Sequence, residues 1–259
     1  MKKSVAEIES RANSIVELIN RRKHLTVDEL VSQLGVSECT VRRQLSSLEG
    51  EGRLVRTRGG AMSIGAMLKE EIIDAHHQAN MAIKKRIAAA AFNMLSRDAS
   101  FFLGGGTTCL ELAKLIVENQ LNCVVVTPSI ITAAELVKSR RVELWMPGGV
   151  VYNRTQYITG SDANRYLSGR FANIAFLGCD ALSMERGVTT ATAMEADIDK
   201  LMIKNAARVC IITDASKLGK MSNTQICALD ALDTLITDSS ASEPFLAGLR
   251  NCGIEVITA

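Results

Sequence analysis

The chain has 259 residues, 47% hydrophobic and 22% charged, with only three prolines, which excludes a disordered protein and allows two ordinary domains with full cores. It has no run of about eighteen apolar residues and no N-terminal signal pattern, so a cytoplasmic chain without a membrane partner is expected. The net charge is +2 but unevenly placed: residues 1–62 carry eleven Lys/Arg against eight Asp/Glu, and the rest nineteen against twenty. That imbalance favours an anionic partner for the first part. Seven scattered cysteines without a C-x-x-C pair read as small buried hydrophobes in a reducing compartment. His76 and His77 lack partners at ligand spacing, so no metal is expected.

Three helices are expected in residues 1–62. The first carries Ile8, Ala12, Ile15, Leu18 and Ile19 on one face. The second opens at Thr26 with Glu29 three residues on, a capping box, and buries Val27, Leu30, Val31 and Leu34 before Gly35 stops it. Ser37 then caps the third, and Val36 is placed to staple onto Val41. Two helices joined by a short glycine-containing turn make a helix-turn-helix.

Val41, Leu45 and Leu48 define the buried face of the third helix. At about 100° per residue, Cys39, Arg43 and Ser46 point away from it, flanked by Thr40, Arg42 and Ser47. Such a face suits the major groove of double-stranded DNA, where arginine reads guanine and contacts phosphate. "GRLVRTRGGA" follows and reads as a two-stranded wing with Arg56 and Arg58 against the DNA backbone. The competing reading is a solvated helical hairpin without a ligand.

"LTVDELVSQLGVSECTVRRQLSSLEGEGRLVRTRGGA" resembles the winged helix of the deoxyribose-operon-repressor (DeoR) family of bacterial transcription regulators. The family pattern is a TIRRDL-type recognition helix followed by an R-x-HGGA wing. Gln44 stands here in place of the usual aspartate and Arg58 in place of the histidine, both where they could retune DNA contacts. From the helix face and the wing, the expected DNA contacts are Ser37, Cys39, Thr40, Arg42, Arg43, Ser46, Arg56 and Arg58.

Residues 63–79 read as a connector, and Asn80 as the cap of a helix through Ser96 with Ile83, Ile87, Ala90, Ala91 and Met94 inward. From there the chain alternates strands ("SFFL", "CVVVT", "VELWM", "IAFLGC", "VCIITD", "DTLIT", "EVIT") with helices near 107–119, 129–139, 162–170, 195–207 and 242–251. Continuous apolar runs imply a largely parallel, Rossmann-like α/β sheet over residues 80–259, with ligands beyond the strands' carboxyl ends.

The residues after those runs are Gly104-Gly105-Gly106-Thr107-Thr108, Thr127-Pro128-Ser129, Pro147-Gly148-Gly149, Gly160-Ser161, Gly178-Cys179-Asp180, Arg186 to Thr190 with Glu195, and Asp214 to Lys217. The first set opens a helix, whose N-terminus favours an anion. Glycines and hydroxyls for a phosphate, with two Asp, one Glu and one Lys for sugar hydroxyls, would make a sugar-phosphate pocket. For any one loop, a plain turn explains the same residues. Neither a dinucleotide fingerprint nor a G-x-x-x-x-G-K-[ST] loop is present, so no cofactor is expected.

"FFLGGGTTCLELA", "FANIAFLGCDAL", "ERGVTTATAMEADIDKLMI" and "ITDASKLGK" resemble the DeoR-family sensor domain, which is similar in fold to ribose-5-phosphate isomerase. The resemblance implies phosphate binding by Thr107 and Thr108, with Asp180, Glu195, Asp214 and Lys217 lining the sugar; Gly104 departs from the family's aspartate. The expected effector site is Gly105, Gly106, Thr107, Thr108, Thr127, Ser129, Gly149, Gly160, Asp180, Glu195, Asp214 and Lys217. The chain then reads as a non-enzymatic repressor of a carbohydrate operon, acting as a homodimer or homotetramer and released by a phosphorylated sugar or sugar acid. Two rivals stand beside it: a sugar-phosphate isomerase or transferase using Glu195 and Lys217, and a constitutive architectural DNA binder. An isomerase has no use for a winged helix.

Overall fold

The computed structural model describes residues 5–22, 24–57, 59–63 and 80–259, and the chain falls into two units, Met1–Asp74 and Ala75–Ala259. In the first unit, α1 (Val5–Arg22) buries Ile15 and Ile19 completely, while the side chain of Ile8 lies outside the described residues. β1 (His24–Thr26) leads into α2 (Val27–Leu34). Thr26 Oγ1 accepts from the Glu29 amide at 3.2 Å, and the Glu29 carboxylate accepts from the Thr26 amide at 2.7 Å. This reciprocal cap is worth about 1 kcal/mol. Gly35 ends the helix at φ 62°, in the left-handed region.

α3 (Glu38–Gly50) follows, with Val41, Leu45 and Leu48 buried beside Ile15, Ile19 and Leu30 in one core. Ser37 occupies the cap position, but its hydroxyl bonds the Thr40 hydroxyl at 2.9 Å and makes no side-chain cap bond. Gln44 is 6% exposed, which corrects its placement among DNA-tuning positions: it is turned into the domain. β2 (Val55–Thr57) and β3 (Gly60–Met62) form the wing, and β1 joins them in the order β1-β3-β2. The sheet has three strands where the sequence pattern shows two, because Leu25 anchors the short β1 in the core. A Cβ on Gly60 would lie 2.2 Å from the Leu25 carbonyl oxygen, so only glycine lets these strands approach.

The connector reading falls on residues 64–79, outside the described residues, as do His76 and His77. The second unit opens with α4 (Met81–Phe92), which is shorter than the expected 80–96. Met94 and Leu95 still pack on the core, but from the turn that follows, which is why the apolar pattern runs past the helix end. Seven parallel strands form the main sheet: β4 (Ser100–Leu103), β5 (Cys123–Val126), β6 (Val142–Trp145), β9 (Ile174–Leu177), β12 (Val209–Ile212), β14 (Thr234–Thr237) and β15 (Glu255–Thr258). Their order is β15-β14-β12-β9-β4-β5-β6.

Helices cover both faces, as buried parallel strands require. α4, α5 (Thr107–Glu118) and α6 (Ile130–Leu136) pack against one face; α7 (Ser161–Ser168), α8 (Ala193–Lys204) and α9 (Glu243–Asn251) pack against the other. Five short strands fall within segments that read as loops. β7 (Val150–Tyr152) and β8 (Tyr157–Thr159) form a hairpin. β10 (Ala181–Ser183), β11 (Gly187–Thr190) and β13 (Thr224–Cys227) form a small antiparallel sheet.

Candidate functional site

Two sites emerge, one in each unit. On α3 of the winged helix, Cys39, Arg42, Arg43 and Ser46 are exposed and Thr40 is half-buried, as the helical spacing predicts. Arg42 is held by Glu38 at 2.7 Å, whereas Arg43 makes no ion pair among the described residues. Arg56 on β2 donates to the Ser46 hydroxyl at 3.1 Å, which fixes the wing against the exposed face of α3. Ser37 sits at the start of that helix, and Arg58 lies outside the described residues.

In the second unit the strand order reverses between β4 and β9: from β4 the chain proceeds outward through β5 and β6, then returns to β9 on the other side. Ligands of such sheets bind where the loops beyond these two strands part. The loop after β4 is Gly104 to Gly106, and the loop after β9 is Gly178 to Asp180. They touch, since a Cβ on Gly178 would lie 3.4 Å from the Gly105 carbonyl oxygen. Gly106 adopts φ 87° as the N-terminal cap of α5, and Thr107 and Thr108 fill the helix's first turn. A helix start and its macrodipole make this an anion-favouring position.

The remaining predicted residues divide into two groups. Asp180 Oδ2 accepts from the Ala191 amide at 2.7 Å and the Thr190 hydroxyl at 3.1 Å. Glu195, in the first turn of α8, accepts from the Thr155 hydroxyl. Asp214 caps the 3-10 turn Ala215–Lys217 and accepts from the Ser216 amide at 3.0 Å, with Lys217 half-buried at the end of that turn. Of the other four, Thr127, Gly149 and Gly160 serve their own loops, whereas Ser129 also borders the glycine loop, its Cβ 3.7 Å from a Cβ placed on Gly105. Thr127 is fully buried and its Oγ1 accepts from the Ser129 amide at 3.1 Å, while Ser129 caps α6 through Thr132. The close neighbours of Gly149 and Gly160 lie in the β7–β8 hairpin and the start of α7, not in the 104–108 loop.

Three further residues, all buried, lie near these loops. Lys84, in the first turn of α4, is only 6% exposed. Burial holds its ammonium below the usual lysine range, Asp214 opposes that shift, and Lys217 reinforces it. The available signal was periodicity: Lys84 shares one helical stripe with Ile87, Ala88 and Ala91. The other two are Tyr157 on β8 and Asp199 on α8, hydrogen-bonded at 2.6 Å. Burial pushes the Asp199 carboxyl up to about 7, with Glu195 and Asp180 adding to the shift and the Tyr157 hydrogen bond opposing it. Cys179, beside Asp180, has its thiol pushed up to about 12 by burial, which keeps it in the thiol form. Among the described residues no group of three or more His, Cys, Asp or Glu is placed to hold a metal.

A winged helix followed by a parallel α/β domain with an anion-favouring loop at its switch point defines a DNA-binding regulator with a sensor-type second domain. Comparison with known proteins gives the same class. Residues 11–66 match the DeoR-like helix-turn-helix domain and residues 79–239 the DeoR C terminal sensor domain. The chain belongs to the DeoR family of transcriptional regulators. It is 31% identical to a putative aga operon transcriptional repressor of Escherichia coli O157:H7, across 98% of this chain and 95% of that one. It is 32% identical to a lactose phosphotransferase system repressor of Streptococcus mutans, across 89% and 92% respectively. These relatives are named as regulators, not enzymes. Among solved structures, ribose 5-phosphate isomerase A of Methanocaldococcus jannaschii is a distant likeness, with a TM-score of 0.39 and 18% identity over 54% of this chain and 55% of that one. No helix among the described residues is long and apolar enough to cross a membrane.

Proposed function

We propose that the protein represses a carbohydrate operon and leaves its operator when a phosphorylated sugar or sugar acid binds the second unit. The observation that carries this reading is the position of Gly104 to Thr108, at the start of a twelve-residue helix and at the switch point of the sheet. Gly105, Gly106, Thr107 and Thr108 hold the phosphate in this reading, and Asp180, Glu195, Asp214 and Lys217 face the sugar. Thr127, Ser129, Gly149 and Gly160 shape the surrounding loops. A relative named as a lactose phosphotransferase system repressor supports the carbohydrate class.

Residues 1–62 read the operator and residues 80–259 sense the effector, with 63–79 connecting them. Ser37, Cys39, Thr40, Arg42, Arg43, Ser46, Arg56 and Arg58 make the DNA contacts. Two copies, or two pairs, meet symmetric half-sites as a homodimer or homotetramer. The effector releases the operator by favouring a conformation in which the paired winged helices no longer match those half-sites, and its power to do so is its difference in affinity for the two states.

A thermal-shift screen of sugars and their phosphates tests the reading. A true effector at about a hundred times its Kd adds about 2.7 kcal/mol to stability, and the unphosphorylated sugar adds none. The same compound is then expected to release operator DNA. A screen in which no phosphorylated compound raises the melting point would overturn the proposal.

A further inference from the structure

β6 is the outermost strand of the main sheet on one side, as β15 is on the other. In a parallel ladder, alternate residues direct their backbone groups to opposite sides. The Arg141 and Trp145 carbonyls accept from β5 and its end, from the Cys123 amide at 3.3 Å and the Thr127 amide at 3.0 Å. Val142 and Leu144 therefore turn their N–H and C=O groups outward, away from β5. A row of outward groups is a template for another strand.

Apolar exposure separates the two edges. Of the seven large apolar side chains exposed among the described residues, four lie on segments attached to β6. Val137 ends α6, which packs on β6, and Val150 and Val151 open the hairpin that follows it. Phe171, 75% exposed, adjoins Arg170, whose guanidinium lies 4.8 Å from the ring centroids of both Trp145 and Tyr166. Tryptophan, tyrosine and arginine packed together beside exposed apolar groups make the composition of an interface centre. None of the seven lies in residues 243–259, which carry β15 and the helix before it.

The charges of the edge select its occupant. Trp145 Nε1 donates to Glu143 at 2.7 Å, so these side chains share one face of β6, and Arg141, two residues back, shares it too. Arg141 and Glu143 are both exposed, and neither has an ion pair among the described residues, whereas nearby Lys138 and Arg165 are paired with Glu135 and Asp162. One strand thus offers a base and an acid two positions apart, which an antiparallel copy of itself matches. Pairing Val142 with Val142 of a second copy joins the outward groups and sets Arg141 of each opposite Glu143 of the other, at the closely approached positions. A shift that centres on Glu143 sets two carboxylates face to face instead, which is unfavourable.

We infer that β6 is a contact between copies of this chain: two β6 strands pair antiparallel about a twofold axis, with Val142 at the axis and an Arg141–Glu143 ion pair on either side. The inference deepens the homodimer part of the proposed function by giving it an isologous interface, and it does not depend on the effector. The flanking valines and Phe171 add the apolar area that a four-residue strand lacks.

Sedimentation equilibrium of the full chain without DNA tests this. Val142→Pro removes an outward N–H and puts a ring where the second strand lies, while the bonds to β5 remain. It is expected to weaken self-association about thirtyfold or more, with a cooperative melt retained. A wild-type tetramer that falls to a dimer on this change supports the inference equally. Arg141→Glu and Glu143→Arg should each weaken self-association, and an equimolar mixture of the two should restore it, because only the mixed pair matches its charges. A wild-type monomer at every concentration overturns both this interface and the homo-oligomer reading. A wild-type oligomer unaffected by all three variants overturns the β6 contact and leaves homo-oligomerisation standing. Single-charge variants that stay dissociated on mixing overturn the Arg141–Glu143 pairing. The charge variants decide even if Val142→Pro fails to fold.

Discussion

The Tyr157 ring lies directly over Gly105: a Cβ placed on that glycine would sit 2.9 Å from Tyr157 Cε2 and 3.0 Å from Cδ2. The same ring sends its hydroxyl to Asp199 on α8, one helical turn from Glu195. A single side chain on the β7–β8 hairpin thus braces the candidate phosphate loop against the helix that carries a candidate sugar ligand.

That contact sets the cost of a side chain at position 105. Gly105 is not among the glycines with positive φ, so alanine fits its backbone and the obstacle is the ring alone. Gly105→Ala is expected to destabilise by about 1–3 kcal/mol, as overpacking does. In a Tyr157→Leu background, the same change should cost less than about 1 kcal/mol, a coupling that a double-mutant cycle from urea unfolding measures. Equal costs in both backgrounds would show that something other than the ring excludes the side chain.

Asp199 gives the protein a pH dependence of known sign. Its folded value of about 7 lies above the ordinary 3.8, because burial, Glu195 and Asp180 all disfavour the carboxylate. The protonated form therefore contributes stability that is full below 3.8 and is lost as pH rises toward 7. Asp199→Asn cannot ionise and still accepts from Tyr157. The wild type should lose stability relative to this variant by up to about 1.4 kcal/mol per pH unit across that window, then run parallel above it. Denaturant midpoints of both proteins in a buffer series measure the difference; profiles parallel throughout would mean that Asp199 does not titrate there.

Features that depend on neighbouring residues were legible in the sequence. The Thr26–Glu29 cap, the Gly35 stop, the buried stripe of α3 and the glycine loop before α5 all form as their spacing requires. What failed to show was non-local. The reversal of strand order between β4 and β9 depends on pairings more than seventy residues apart, such as Phe101 with Ile174. β7 and β8 are three residues each, with Val150 and Val151 exposed, too short for a period-two signal. Tyr157 and Asp199 meet only because that hairpin folds onto α8. Lys84 was hidden by the ordinary expectation that lysine faces water, and Gln44 by the same expectation for glutamine.

On the winged helix, the two adjacent arginines are not equivalent. Arg42 is paired with Glu38 within its own helix, and Arg43 is not. Arg43→Ala is expected to cost about 1–3 kcal/mol at the specific site, and Arg42→Ala less, since its charge is already partly satisfied. Arg56→Ala should weaken specific and non-specific DNA alike and flatten the salt dependence by about one unit of slope. Gel-shift titrations on a duplex selected by the wild-type protein from a random pool give all three values. Unchanged affinity in Arg43→Ala would mean that α3 presents a different face to DNA.

The two units are joined in function only if the loop at Gly104 to Thr108 governs DNA release. Thr107→Ala removes a hydroxyl from the first turn of α5, where a charge-assisted contact to phosphate is worth roughly 1.5–3 kcal/mol. Lys217→Ala removes a positive charge from the turn that Asp214 caps, with a loss at least as large expected. Neither residue belongs to the winged-helix unit, so operator affinity without effector should match the wild type. An effector shifts the equilibrium only by its differential affinity, so a ten- to hundredfold weaker ligand moves the release curve by the same factor. Both variants should therefore repress normally and fail to induce at concentrations that empty the wild-type operator. Operator occupancy across a titration of the sugar phosphate found by thermal shift measures this directly. Release curves that superimpose on the wild type for both variants would move the effector site elsewhere and leave the three glycines as the turn between β4 and α5.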